Sequence, residues 1–106
     1  MHEPIQQVKA EFFKALGHPA RIRILELLSQ GERSVSELIP EVGLESSHLS
    51  QQLGVLRRAN LVVTRKSGNL VYYRLADRRL TKLLDLAKQI LLEYLTQTRD
   101  LLAGVP

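Results

Sequence analysis

The segment SSHLSQQLGVLRRANLVVTRKSGNLVYYR, which runs from Ser46 to Arg74, carries the strongest fold signal of the sequence. Its first half has leucines at helical spacing, and its second half is rich in β-branched and aromatic residues. The second half contains two β-rich runs, Leu61–Lys66 and Leu70–Leu75, which are separated by the turn-forming residues Ser67-Gly68-Asn69. The segment therefore predicts a helix followed directly by a two-stranded β-hairpin.

This basic segment, Ser46 to Arg74, carries five cationic side chains and no carboxylate. The residues before it contain seven acids and five bases, and the residues after it contain four acids and five bases. The formal net charge of +4 is therefore concentrated in the segment. A helix fits a DNA major groove, and an acid-free basic surface favours a polyanion, so we expect double-stranded DNA as the partner. The cationic residues are Arg57, Arg58, Arg65, Lys66 and Arg74.

The predicted helix, from about Ser46 to Ala59, has one apolar and one polar face. At about 100° per residue, Leu49, Leu53 and Leu56 fall in one narrow sector, which must face the core. The opposite sector contains hydroxyl and amide side chains, which suit the reading of base edges and phosphates. A solvated face without a partner is the alternative. The DNA contacts predicted from this helix are Ser46, Ser47, His48, Ser50 and Gln51, with Arg57 and Arg58 supporting them on the DNA backbone.

The tip of the hairpin supplies a second group of predicted DNA contacts. Arg65 and Lys66 lie next to the turn, and Asn69 lies in it. Because they follow a helix of this kind, we expect them to lie over a phosphate backbone as a wing. A charged strand edge that prevents aggregation is the alternative.

Three helices are predicted upstream of the basic segment. The first runs from about Pro4 to Leu16, and the second from about Pro19 to Gln30. Ser34 and Glu37 form a capping box at the start of the third, which ends near Val42. A glycine turn then joins this third helix to the helix of the basic segment, which gives a helix-turn-helix.

A last long helix is predicted from about Asp77 to Ala103. Its apolar residues repeat every seven positions and form a stripe wider than a small monomer can easily cover. We therefore predict a homodimer held by the first helix (about 4–16) and the last helix (about 77–103), although this pair could instead pack on its own core. A two-fold dimer would place two recognition helices in successive major grooves, about 34 Å apart. The predicted interface residues are Ile5, Val8, Phe12, Leu83, Ala87, Ile90, Leu91 and Tyr94.

The predicted fold is mainly α with one β-hairpin. It is a winged helix-turn-helix in the order α-α-α-α-β-β-α, in a single domain over residues 1–106. The chain has no cysteine, which excludes disulfides and thiolate metal sites. No apolar run approaches the roughly 18 residues that span a membrane, and the start lacks a signal-peptide pattern, so a cytoplasmic protein is expected. No residues have the spacing of a catalytic, cofactor or metal site, so an enzyme is not expected.

Several stretches resemble the ArsR/SmtB family of bacterial winged-helix repressors. The part from Leu49 to Val62 is close to the family pattern apolar-Ser-x-His-Leu-x-x-Leu-Arg-x-Ala-Gly-Leu-Val. The resemblance implies a dimer that binds an imperfect palindrome near a promoter, represses transcription and releases the DNA when an inducer binds. The stretches are ALGHPARIRILELL (Ala15 to Leu28), SVSEL, HLSQQLGVLRRANLV and the hairpin end YYRL.

The departures from the family concern mainly its inducers. Family metal sensors often carry two cysteines where this chain has Ser34 and Ser36, and other members use histidine ligands in the last helix, which has none here. Metal is therefore not expected as the inducer, and a small molecule or a protein remains open. In the recognition helix, Gln52 and Gly54 replace the family's usual histidine and frequent lysine.

The alternative function is a winged-helix module that binds proteins and has no specific DNA binding. Apolar or acidic residues on the polar face of the recognition helix would favour it, and the sequence has neither there.

Overall fold

A winged helix-turn-helix is formed by residues 4–104, the part of the chain that this computed structural model describes, apart from the side chain of Leu102. The ends of the predicted domain, residues 1–3 and 105–106, lie outside the described residues. The predicted mainly α fold with a wing is confirmed. Within residues 4–104 the chain forms five helices and three strands: α1 (Ile5–Leu16), α2 (Pro19–Leu28), β1 (Arg33–Ser34), α3 (Val35–Val42), α4 (Ser46–Arg58), β2 (Val62–Ser67), β3 (Leu70–Leu75) and α5 (Arg79–Ala103).

The wing is a three-stranded antiparallel sheet in the order β1-β3-β2. The predicted two-stranded hairpin is confirmed as β2 and β3, and β1 is a third strand that was not predicted. β2 and β3 pair along their full length. β1 adds two residues to the other side of β3, with Arg33 opposite Tyr73 and Ser34 opposite Tyr72. A two-residue strand shows no alternation of apolar and polar side chains, so the sequence pattern contains no sign of it.

Ser34 ends β1 and caps α3 at the same time. Its Oγ accepts a hydrogen bond from the Glu37 N–H (3.3 Å), and the Glu37 carboxylate accepts one from the Ser34 N–H (3.0 Å). These bonds confirm the predicted capping box. The Ser34 N–H, and after it the Ser34 hydroxyl (3.0 Å), donate to the Glu37 carboxylate and lower the pKa of Glu37. At its other end α3 stops at Gly43, whose φ of 78° favours glycine. α3 therefore joins the sheet at one end and turns directly into α4 at the other.

Two helix ends differ by two residues from their predicted positions. α2 ends at Leu28 rather than Gln30, and α5 begins at Arg79 rather than Asp77. Asp77 stands before α5 because its carboxylate accepts a hydrogen bond from the Arg79 N–H (2.8 Å), as a capping group does. After α4, Asn60 has a left-handed backbone (φ 61°), which asparagine tolerates at a helix end.

The core lies between α2, α3, α4 and the base of the sheet. Leu49, Leu53 and Leu56 of α4 are at most 1% exposed, as their spacing predicts. Burying one such side chain stabilises the fold by about 1.5–3 kcal/mol, so a rotation of α4 that exposed the three leucines would be costly. This burial holds the polar face of α4 outward. The other buried apolar residues are Ala15, Leu16, Ile24, Leu25, Leu27, Leu28, Leu38, Leu61, Val62, Leu75 and Leu80.

α5 packs on the core only at its beginning. Leu80 is buried, and Leu83 and Leu84 are half-buried against the core, but the large apolar residues of α5 from Leu86 to Leu101 are exposed. The open alternative, in which the first and last helices pack on their own core, therefore holds only for the last turn of α1 and the first turns of α5. Among the helices of residues 4–104, none combines the length and the hydropathy needed to cross a membrane.

Candidate nucleic-acid interface

The outward face of α4 consists of hydroxyl, imidazole and amide side chains. They lie opposite the three buried leucines, and none of them is a carboxylate. The structure therefore brings the predicted helix contacts onto one exposed surface; that they bind DNA stays a prediction. The exposed residues are Ser46, Ser47, His48, Ser50 and Gln51.

The first turn of α4 has backbone N–H groups that are available to a ligand. Glu45 is the N-cap residue, and its side chain makes no capping hydrogen bond. The helical hydrogen bonds begin with the Leu49 N–H and the Glu45 carbonyl (2.9 Å), so the N–H groups of Ser46, Ser47 and His48 have no acceptor within residues 4–104. Such groups, together with the positive end of the helix dipole, suit a phosphate.

The last turn of α4 holds two exposed arginines, Arg57 and Arg58. They lie about 17 Å along the helix axis from Ser46, so they reach a different part of any DNA bound at the first turn. In the part of the chain that the structure describes, neither arginine pairs with a carboxylate. A Cβ atom added at Gly54 would lie 3.2 Å from Arg58 Nη1, so the glycine leaves room for this guanidinium.

At the wing, Arg65 is held by a carboxylate from outside the basic segment. Its Nη2 donates to Glu32 Oε1 (2.6 Å) and its Nε to Glu32 Oε2 (3.1 Å), and the guanidinium lies 4.7 Å from the centre of the Tyr72 ring. The hydrogen bond from Arg65 is the main cause of the lowered pKa of Glu32. The segment is free of acids in sequence, but this pair brings one acid to its surface. The contact joins residues 33 positions apart, and no local pattern predicts it.

Lys66 and Asn69 are the other two predicted wing contacts, and both are exposed. Asn69 follows Gly68, whose φ of 60° forms the turn between β2 and β3. Within residues 4–104 Lys66 has no ion-pair partner. Lys66 can therefore bind a phosphate without losing an ion pair within the described residues, whereas Arg65 would have to leave Glu32.

A contact that sequence reasoning missed joins α4 to the end of α1 through Arg21 of α2. Arg21 Nη1 donates to Gln52 Oε1 on α4 (3.1 Å). The same guanidinium donates through Nε to the Ala15 carbonyl (2.7 Å) and through Nη2 to the Lys14 carbonyl (3.4 Å). The two carbonyls belong to the last turn of α1, and the Lys14 carbonyl also accepts a hydrogen bond from the Gly17 N–H (3.1 Å). Arg21 thus connects the first helix, the core and the flank of the recognition helix.

The predicted dimer residues form apolar faces on α1 and α5 that this single chain leaves largely uncovered. Phe12 and Leu83 are half-buried against the core, and the other six are exposed. Apolar neighbours extend the exposed face along α5, and Tyr94 at 62% is among its most exposed residues. The six exposed residues are Ile5, Val8, Ala87, Ile90, Leu91 and Tyr94.

Ser34 and Ser36, which replace the cysteines of the family metal sensors, bond to each other and to the capping box. Their Oγ atoms are 3.1 Å apart, and Ser34 is buried. Across residues 4–104 no three histidine, aspartate or glutamate side chains come together as a metal site would require.

Residues 18–64, from the start of α2 to β2, match the family model described as bacterial regulatory protein, arsR family. Rv0081, an HTH-type transcriptional regulator of Mycobacterium tuberculosis, is 53% identical over 107 residues, which cover 96% of this chain and 94% of the relative. Its crystal structure aligns with a TM-score of 0.84 at 54% identity, over 92% of this chain and 98% of that chain.

Two further relatives match over most of this chain. The homodimeric winged helix-turn-helix DNA-binding domain of Mb0332 from Mycobacterium bovis has a TM-score of 0.79 at 32% identity, over 88% of this chain and 86% of the domain. The biofilm growth-associated repressor of Agrobacterium fabrum is 43% identical over 76 residues, which cover 72% of this chain and 65% of the repressor. The resemblance seen in the sequence is confirmed, and the chain belongs to the ArsR family of bacterial transcriptional regulators.

Proposed function

We propose that this protein is a homodimeric repressor that binds double-stranded DNA at an imperfect palindrome. The observation that carries the proposal is the polar face of α4, which has no carboxylate, is held outward by three buried leucines and begins in a turn with available N–H groups. A helix of this kind enters the major groove, where side-chain hydrogen bonds distinguish the base pairs.

In the proposed complex the first two turns of α4 read the DNA. The N–H groups of Ser46 and Ser47 bind a phosphate at the edge of the groove and fix the register. Gln51 lies one turn after Ser47 on the same face, and its amide can bind adenine through two hydrogen bonds. His48 and Ser50 flank this line and contact neighbouring bases or phosphates.

The wing and the end of α4 bind the DNA backbone in this proposal. Lys66 and Asn69 lie over a phosphate next to the major groove, where Lys66 needs no rearrangement to bind it. Arg65 contributes less than its charge suggests, because Glu32 already holds it. Arg57 and Arg58 contact phosphates further along the groove.

The dimer in this proposal is held by α1 and α5. The exposed apolar residues of α1 and α5 form the kind of continuous surface that marks a protein interface. The homodimeric relative from Mycobacterium bovis supports a second copy of this chain as the partner. Two-fold symmetry would place the two α4 helices about 34 Å apart, which requires a palindromic site. The repressor among the relatives supports repression as the outcome, and the family is one of regulatory proteins rather than enzymes.

The test is fluorescence anisotropy with the DNA upstream of the protein's own gene, or with a duplex selected from a randomised pool, against a scrambled duplex. We expect preferential binding that persists near physiological salt. Gln51→Ala should weaken binding to the specific duplex by about 1–3 kcal/mol and spare the scrambled one, because it removes a base contact. Gln97→Ala, an exposed amide near the end of α5, is the matched control.

Two outcomes would contradict the proposal. Equal losses on both duplexes in Gln51→Ala would show that this residue does not read bases. Weak binding that is the same on every duplex, including the selected pool, would favour a protein-interaction module instead.

A further inference from the structure

A cavity of about 590 Å³ lies between α1, α2 and α4. Its wall is apolar where Phe12 and Ala15 of α1 face Val55 of α4 and Ala59, the residue after α4. Val8 also lines it, and Val8 and Phe12 are both predicted dimer residues. Cavities of about 300–1,000 Å³ with apolar walls are typical of small-molecule sites. None of the exposed polar residues of α4, Ser46 to Gln51, lines the cavity, and of the predicted DNA contacts its lining includes only Arg58.

The rim of this cavity is cationic. Lys14, Arg21 and Arg58 line it together with one acid, Glu11. Within residues 4–104 none of the three cations has a carboxylate at ion-pair distance, so Glu11 does not neutralise them by contact. An apolar wall beside cations without carboxylate partners is complementary to a molecule with an apolar body and one negative group. Arginine recognises carboxylates through strong, paired hydrogen bonds.

Arg21 connects this cavity to the recognition helix. Its guanidinium lines the cavity while Nη1 donates to Gln52 of α4 (3.1 Å) and Nε to the Ala15 carbonyl (2.7 Å). A carboxylate in the cavity would compete with the neutral Gln52 amide for Arg21, and a charged acceptor makes the stronger bond. Such competition would release the flank of α4 from α1 and α2.

We propose that this cavity binds a small amphipathic carboxylate, and that the bound carboxylate weakens DNA binding by drawing Arg21 away from Gln52. The second half of the proposal rests on the proposed function. The first half does not, because it concerns a site that can be measured without DNA.

The binding half is tested by titrating the full chain, labelled with ¹⁵N, with decanoate, and by following the amide signals in NMR spectra. We expect saturable shifts centred on Ala15, Val55 and Ala59, and no such shifts with decanol or decylamine. Shifts centred on the exposed end of α5, or equal binding of decanol, would overturn the site.

Three variants sharpen this test. Arg58→Gln should weaken decanoate binding about tenfold, because it removes a charged hydrogen-bond donor from the rim. Arg57→Gln is the matched control, since Arg57 is the exposed neighbour outside the cavity lining, and decanoate binding should stay unchanged. Glu11→Gln should strengthen binding about threefold, because it removes the one negative charge of the rim. Equal losses in the two arginine variants, or weaker binding in Glu11→Gln, would contradict the proposed rim.

The coupling is read first without DNA, from the side-chain amide signal of Gln52. Bound decanoate should shift this signal as the hydrogen bond to Arg21 is lost, and an unchanged signal at saturation would overturn the coupling. In a second experiment, saturating decanoate should lower the affinity for the specific duplex about fivefold or more. Fivefold is the low end of the range typical of allosteric coupling between two sites. An unchanged affinity for DNA would overturn the regulatory half.

Two further results separate the possible failures. If no specific duplex exists, the proposed function fails, while the decanoate shifts and the Gln52 signal still decide the site. Sedimentation velocity should show the same oligomer with and without decanoate. Dissociation by decanoate would mean that the cavity belongs to the subunit interface, and this would overturn the proposal.

Discussion

The ion pair between Glu32 and Arg65 should limit the contribution of the wing to DNA binding. The pair is close (2.6 Å between Arg65 Nη2 and Glu32 Oε1), and Tyr72 supports the guanidinium from one side. Lys66 has no ion-pair partner within residues 4–104. We therefore expect Lys66 to bind a phosphate in the native protein and Arg65 to remain with Glu32.

The salt dependence of binding gives the magnitude. Each phosphate that a protein neutralises contributes about 0.9 to the slope of log K against log salt concentration, and a dimer has two wings. Lys66→Ala should therefore reduce the magnitude of the slope by about 1.8. Glu32→Gln should increase it by up to about 1.8, because it frees one arginine in each wing. The double variant Glu32→Gln/Arg65→Ala should return to the native slope.

The assay is anisotropy of one labelled duplex at several salt concentrations, with thermal unfolding of each variant as the control for folding. A native slope in Glu32→Gln would contradict this prediction, since it would mean that Glu32 does not restrain Arg65. A double variant that keeps the increased slope would refute it too, because another group would then supply the charge.

Three further predictions concern stability and assembly. Leu53→Ala should lower the free energy of unfolding by about 3 kcal/mol, because Leu53 is 1% exposed in the core. Urea unfolding measures this loss. The control is Ser50→Ala at an exposed position, whose free energy of unfolding should stay within about 0.5 kcal/mol of the native value. Ile90→Glu should give a folded monomer by sedimentation and circular dichroism, because a charge on this exposed face opposes the proposed contact; an intact dimer would place the interface elsewhere. Hydrogen bonds from Arg79 lower the pKa of Asp77 from its ordinary value of 3.8 to about 2. The ionised Asp77 carboxylate therefore contributes its full stabilisation of the fold above pH 3.8, and this contribution is lost as the pH falls towards 2. The melting temperature of Asp77→Asn should accordingly lie below the native one at pH 7 and approach it near pH 2, and a constant difference would contradict this.

The parts of the fold that follow a repeating pattern were predictable from the sequence. Leu49, Leu53 and Leu56 recur at helical spacing, and the structure buries all three. The capping box at Ser34 was also predictable, because a cap is a contact between residues three positions apart. The exposed polar face of α4 follows from the same periodicity.

The parts that sequence reasoning missed are contacts between distant residues or elements too short to show a pattern. β1 has two residues and forms only because β3 offers it an edge. The Arg65–Glu32 pair and the Arg21–Gln52 hydrogen bond join residues 33 and 31 positions apart. Each depends on how the helices and the sheet pack, which periodicity does not specify. Counting charges along the sequence therefore overestimates the positive charge that the wing can offer to DNA, because Glu32 pairs with Arg65.

The double use of Ser34 fixes the distance between wing and recognition helix. Because β1 ends at the residue that caps α3, and α3 turns through Gly43 into α4, no linker separates the sheet from the helix-turn-helix. In the proposed complex the wing and α4 would then contact the duplex at a fixed spacing, and the DNA would have to deform to fit that spacing. Sequences whose groove width already matches the spacing would bind at the least deformation cost. Base pairs that no side chain touches would thus contribute to the choice of binding site.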